Sequence, residues 1–138
     1  LNKKRQEIWN KSGGKCWYCG CVLADKWHAD HFEPLGRLPN AISYNYEDTE
    51  YALIRTKVET KRVPLNPERD HIDNLVPACP SCNLMKGMSS VEGFREIIYR
   101  FIESLNSYSN QYKFAKKYGL IVESQEPVVF WFERQNAG

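Results

Sequence analysis

Apolar positions recur at helical spacing most clearly between residues 91 and 105, where Val91, Phe94, Ile97, Ile98, Phe101, Ile102 and Leu105 share one face. Ser89-Ser90-Val91-Glu92 fits a capping box at its start, so one continuous amphipathic helix is predicted there. Its stripe reads as core. Lys3 to Lys11 are helix formers with Ile8 and Trp9 as apolar anchors, and Ser12-Gly13-Gly14 ends the run, which predicts a short, basic, docked helix. Val22 to Ala24 and Trp27 to Phe32 read as strands, the second stopped by Pro34 and Gly36. Asn74-Leu75-Val76-Pro77 is extended, Asn83 to Lys86 starts a helix that Gly87 ends, and Gln111 to Tyr118 forms another closed by Gly119. Gly119 to Glu123 and Val128 to Phe132 predict a C-terminal strand pair. Residues 37–70 are less regular. Tyr44, Tyr46 and Tyr51 alternate with polar groups, Ala52 to Val58 is strand-like, and prolines punctuate the stretch, so it reads as an inserted hairpin.

The elements together predict an α+β fold in one domain, residues 1–138, consistent with a length of 138 residues. A chain that is 42% hydrophobic and 26% charged is globular, which excludes disordered and collagenous classes. The formal charge of +2 is too small to announce nucleic acid or membrane by itself. Charge is nevertheless segregated. Lys3, Lys4, Arg5, Lys11 and Lys15 face only Glu7 in the first segment, Lys113, Lys116 and Lys117 cluster near the end, and Glu47 to Glu50 is acidic. Phosphate contacts need local rather than net positive charge, although the usual meaning of a charge run is a solvated face. No apolar run is long enough for a bilayer and residues 1–15 show no signal-peptide core, so a soluble, cytoplasmic protein with no membrane partner is expected.

Four of the five cysteines form two C-x-x-C pairs, Cys16/Cys19 and Cys79/Cys82. Each pair can make a knuckle whose thiolates converge, and Zn2+ takes four such ligands tetrahedrally. Gly20 suits the knuckle turn. A redox C-x-x-C needs one pair beside a βαβ unit, and here there are two pairs and no such unit. A structural zinc clamp is therefore expected. Cys21 reads as a free small apolar residue, with competition against Cys16 for the metal as the other option.

Between the knuckles lie Asp30-His31 with Pro34, then Asn74-Leu75-Val76-Pro77-Ala78-Cys79, then Cys82-Asn83 and Lys86-Gly87. This ordered set resembles the HNH endonuclease family. The resemblance runs from Cys16 to Gly87, with 37–70 as an insertion and 91–138 as an extension without a family motif. It implies a ββα-metal core stapled by a four-cysteine zinc site, to which the residue pattern adds the flanking helices and the C-terminal strand pair. It implies further that His31 is the general base, that Asp30 binds a catalytic Mg2+ or Mn2+, and that Asn74 steadies the His31 loop and ring. Asn83 stands where the family's last histidine would be and would offer an amide oxygen to the metal, an HNN variant. The activity implied is hydrolysis of DNA, by nicking or double-strand cleavage, leaving 5′-phosphate and 3′-hydroxyl ends.

Residue chemistry agrees with that assignment. Phosphodiester hydrolysis needs a base for water and a cation for phosphate charge. A neutral histidine can take the proton, and carboxylate and amide oxygens suit a hard cation. Adjacent strand residues point to opposite faces, so Asp30 and His31 serve one site only if the backbone bends or a ligand is reached from the edge. Taken singly, His31 reads as a structural histidine and Asn74 or Asn83 as turn or cap residues. His28 and His71 read as packing or solvated groups, with lining of the site as the other option. Glu33 divides between a supporting partner for the site and simple exposure. Lys86 is the first candidate for a phosphate contact, followed by Lys61, Arg62 and Arg37. The competing functions are a non-catalytic zinc-stapled nucleic-acid-binding module and an RNA-directed nuclease. Monomer and homodimer are both open.

Overall fold

A computed structural model describes residues 2–38, 42–59 and 63–136. Helix α1, Lys3–Asn10, starts where the Asn2 side chain accepts the Arg5 amide at 2.8 Å, an N-cap that satisfies one of the helix's orphan donors. Ile8 is its buried anchor. Arg5 donates to the Trp27 carbonyl at 2.9 Å and lies 3.8 Å over the indole ring. Lys11 donates to the carbonyls of Ile72 and Leu75, at 2.6 Å each. Two cations of the basic N-terminal segment therefore dock this helix.

Strand β1, His28–His31, is completed by a much later partner. Beyond it, β2, Ile42–Asp48, and β3, Leu53–Glu59, form their own antiparallel hairpin, with Tyr44 opposite Lys57 and Tyr46 opposite Arg55. This is the hairpin expected in the insertion. Two short 3-10 turns, Pro67–Arg69 and Ile72–Asn74, return the chain to β4, Leu75–Ala78, which pairs antiparallel with β1. Asp30 lies opposite Val76 and His31 opposite Leu75. Helix α2, Pro80–Lys86, follows at once and packs on β1. It starts earlier than Asn83 because Pro80 suits a first helical turn and the Cys79 sulfur accepts the Cys82 amide. The strand expected at Val22 to Ala24 is only a single bridge, Lys15 to Val22, which closes the first cysteine loop.

Three helices follow: α3, Val91–Tyr99, α4, Phe101–Tyr108, and α5, Asn110–Lys117. Ser90, rather than Ser89, caps α3 by accepting the Gly93 amide. The continuous 91–105 helix is corrected here. The helix is interrupted at Arg100, with φ −75° and ψ −11°, where α3 ends and α4 begins. Only the first half of the stripe is core: Phe94 is 2% exposed, whereas Phe101, Ile102 and Leu105 are about 40% exposed. Among the described residues no helix is long and apolar enough to cross a membrane.

The C-terminal strand pair does not form. Residues 121–130 carry no regular element, and Trp131–Asn136 is helix α6. The amides of Trp131 and Phe132 donate to the carbonyls of Tyr18 and Trp17 instead of to a strand ladder. The alternating aromatics pack in a stack: Phe130 lies on Phe94 at 5.2 Å between ring centres, Phe132 on Trp17 at 5.8 Å, and Tyr18 meets Phe94 and Phe130 edge-on. Arg95 clasps this segment by donating to Glu133, at 2.7 Å, and to the Val128 carbonyl. The core joins Ile8, Tyr18, Leu23, Trp27, Leu75, Val76, Phe94 and Phe130, so the C-terminal segment and the first cysteine loop share one apolar interior. Gly20 has φ +77°, and a Cβ there would lie 2.5 Å from Trp131, so backbone angle and packing both require glycine.

Candidate metal centre and adjoining cavity

The sulfurs of Cys16, Cys19, Cys79 and Cys82 all lie within 4.8 Å of one another. The first pair sits in the loop after α1, and the second brackets the junction of β4 and α2. Local backbone bonds shape the first loop: the Cys16 amide donates to the Cys21 carbonyl at 2.8 Å and the Gly20 amide to the Cys16 carbonyl at 3.0 Å. Trp17 donates to the Pro77 carbonyl at 2.8 Å, which ties that loop to β4 and brings the pairs together. A hydrogen bond from Cys82 draws the Cys16 thiol down to about 4. The same bond pushes Cys82 up, and burial pushes Cys79 up. Four sulfurs this close cannot all be ionised unless a cation lies among them. A tetrad of soft thiolates fits a metal ion such as zinc. Cys21 lies outside the group, exposed, its thiol pushed up to about 12 by burial of the sulfur and its bond to Cys19.

A cavity of about 320 Å³ is lined by Asp30, His31, Arg37 and Asn83 among others, with Leu35 and Leu84 on its apolar wall. Strand alternation directs Asp30 and His31 to different partners, yet both reach the cavity because β1 ends at His31 and the chain bends at Phe32 and Glu33. Asp30 is buried. Its Oδ2 accepts from the Tyr18 hydroxyl and lies 3.2 Å from the Lys86 ammonium. Burial and the Asp30 carboxylate push the Tyr18 phenol up, so it stays a donor. Oδ1 of Asp30 makes no hydrogen bond or ion pair among the described residues. Asn83 donates from Nδ2 to His28 Nδ1 at 2.7 Å, which leaves its Oδ1 as an acceptor. His28 is thus a neighbour of the site rather than a packing group, while His71 is exposed.

Asn74 is 8% exposed and staples the loop after His31: its Oδ1 accepts the Glu33 amide, and its Nδ2 donates to the carbonyls of Glu33 and Arg69. It does not bond the His31 ring. That ring donates from Nε2 to Asp70 Oδ1 at 2.9 Å, a partner the sequence reading missed. The bond from His31 holds the Asp70 carboxyl below its usual range, and Lys4 and Arg37 add to this. Glu33 is exposed and only 3.8 Å from Arg69.

Lys86 is not placed for the phosphate contact expected of it. It is 1% exposed, and its ammonium donates to the His31 carbonyl at 3.0 Å besides pairing with Asp30. The reason is the shortness of α2, whose last turn folds against β1. Arg37 is exposed on the cavity rim. Lys61 and Arg62 lie outside the described residues. In the 113–117 cluster Lys116 pairs with Glu123 and Asn106, and Lys117 lies over Phe114, so two of its three cations have local partners.

No family model matches the chain, and neither does any curated protein or solved structure.

Proposed function

We propose that the chain is a metal-dependent endonuclease of the HNH class that hydrolyses DNA phosphodiester bonds with His31 as general base. The observation that carries the proposal is the convergence of Asp30, His31 and Asn83 on one cavity, with Asn74 stapling the loop behind them. The order β1, β4, α2 supports it, because a strand pair followed by a helix is the scaffold that a ββα-metal core requires.

The donor set suits Mg2+ or Mn2+: one carboxylate oxygen of Asp30 without another partner, one amide oxygen of Asn83, and a cavity with room for waters, which such ions retain. When bound, the cation supplies charge stabilisation for the phosphate and the departing 3′ oxygen. His31 accepts the proton of the attacking water. Lys86 and Tyr18 hold Oδ2 of Asp30, so the carboxylate keeps a fixed direction with Oδ1 turned to other partners. Arg37 takes the phosphate-contact role assigned by sequence to Lys86. Zinc in the cysteine tetrad is structural, joining the two loops that carry the elements of the cavity.

Supercoiled plasmid and a labelled RNA, each incubated with purified protein and Mg2+, Mn2+ or EDTA, test the proposal. Nicked or linear DNA formed only with metal is the expected result. DNA bound but uncut under every metal condition contradicts it in favour of a binding module, and cleavage confined to RNA reassigns the substrate.

A further inference from the structure

We infer that Asp70 is the positioning residue of His31: its carboxylate fixes the orientation and tautomer of the imidazole, and Asn74 sets the distance between the two. The inference rests on the nuclease proposal above. A neutral imidazole donates from one nitrogen and accepts at the other. Donation from Nε2 to Asp70 Oδ1, at 2.9 Å, leaves the lone pair on Nδ1, which has no partner among the described residues. Nδ1 is then the atom that accepts the water proton. A carboxylate on the far nitrogen also stabilises the imidazolium that forms, the role an aspartate plays behind other histidine bases.

The two residues lie on separate loops, and the structure fastens those loops together on both sides of the contact. Arg69, next to Asp70, donates to the Pro34 carbonyl at 2.9 Å, and the Asn66 side chain donates to the Leu35 carbonyl at 2.9 Å. The Phe32 amide donates to the Asn74 carbonyl at 2.8 Å. Between these bonds, the single Asn74 amide holds Glu33, two residues past His31, and the carbonyl of Arg69, one before Asp70, at 2.8 Å each. Asn74 therefore acts on the base through Asp70 and not by touching the ring. A side chain that bridges two loops at full hydrogen-bond geometry leaves little freedom in their separation.

Asp70 is more than half exposed, so its amide variant keeps the fold. With the full-length zinc-loaded chain, Mg2+ and a labelled duplex, Asp70→Asn is expected to lower kcat about 10- to 100-fold, within what a positioned general base contributes. KM and the melting temperature stay at wild-type values, and Asp70→Glu recovers most of the rate. Imidazole 15N spectra of the metal-free active site are expected to show His31 protonated on Nε2 in the wild type and a tautomer mixture in Asp70→Asn. Adding Asp70→Asn to Asn74→Ala is expected to cost less than it does alone. Wild-type kcat in Asp70→Asn, or a wild-type His31 protonated on Nδ1, overturns the inference. If the wild type cuts nothing, the nuclease proposal fails, while the 15N spectra still decide whether Asp70 sets the tautomer.

Discussion

Replacing Lys86 by methionine tests the interior of the site, because it removes a charge and keeps most of the apolar stem. Lys86 and Asp30 have side chains 0% and 7% exposed, with nitrogen and oxygen 3.2 Å apart. At an effective dielectric of about 20, that separation corresponds to an attraction of about 5 kcal/mol. The loss on substitution is smaller than this attraction, because the intact pair also carries the cost of desolvating both charges. Lys86→Met is therefore expected to lose roughly 3–4 kcal/mol at pH 7, in the range for breaking a buried pair from one side.

Adding Asp30→Asn to Lys86→Met removes the unpaired buried charge and is expected to recover part of the loss. Urea unfolding of zinc-loaded protein at pH 7, followed by tryptophan fluorescence, measures both variants against the wild type. A Lys86→Met protein within about 0.5 kcal/mol of wild type at pH 7, the size of an ordinary surface change, would refute the reasoning and return Lys86 to the surface.

Cys79→Ser is expected to release the metal and, because binding and folding are coupled in such sites, to abolish the cooperative unfolding transition; metal content by mass spectrometry and thermal melts check both. One tightly held zinc with an unchanged melting temperature contradicts the tetrad. The Arg95 clasp makes an acid-range prediction. Glu133 is held below its ordinary value of 4.5, first by the bond from Arg95, so its contribution is present above that value and is lost as pH falls through the lowered one. Trp131, at the start of the helix that carries Glu133, is expected to change fluorescence in that acid range, with the change absent in Glu133→Gln.

The parts of the fold legible in sequence were those with short-range chemistry. Two C-x-x-C spacings and Gly20 announced the sulfur tetrad, and Asp30, His31 and Asn83 line one cavity. The first half of the 91–105 stripe is core for the reason its periodicity implied, but the turn at Arg100 has no proline or glycine to announce it. Phe130 and Phe132 alternate as strand residues do, yet whether alternating aromatics enter a ladder or a stack depends on where the backbone amides find partners, here Tyr18 and Trp17. Lys86 reads as a phosphate contact because it stands one turn after Asn83; only the packing of a two-turn helix against β1 turns it into the pair with Asp30. Asp70 stands in a polar run, Glu68-Arg69-Asp70-His71, with no local signal that singles it out, and its partner lies on a distant loop.

The central claim, that His31 is the base of a metal-dependent nuclease, is tested most directly by relaxation of supercoiled plasmid in Mg2+ by wild type and His31→Ala, prepared side by side with equal zinc content. Wild type is expected to convert the plasmid, and His31→Ala to fall by about 100-fold or more, as loss of a general base implies. Equal activity of the two proteins, or none from the wild type, would contradict it.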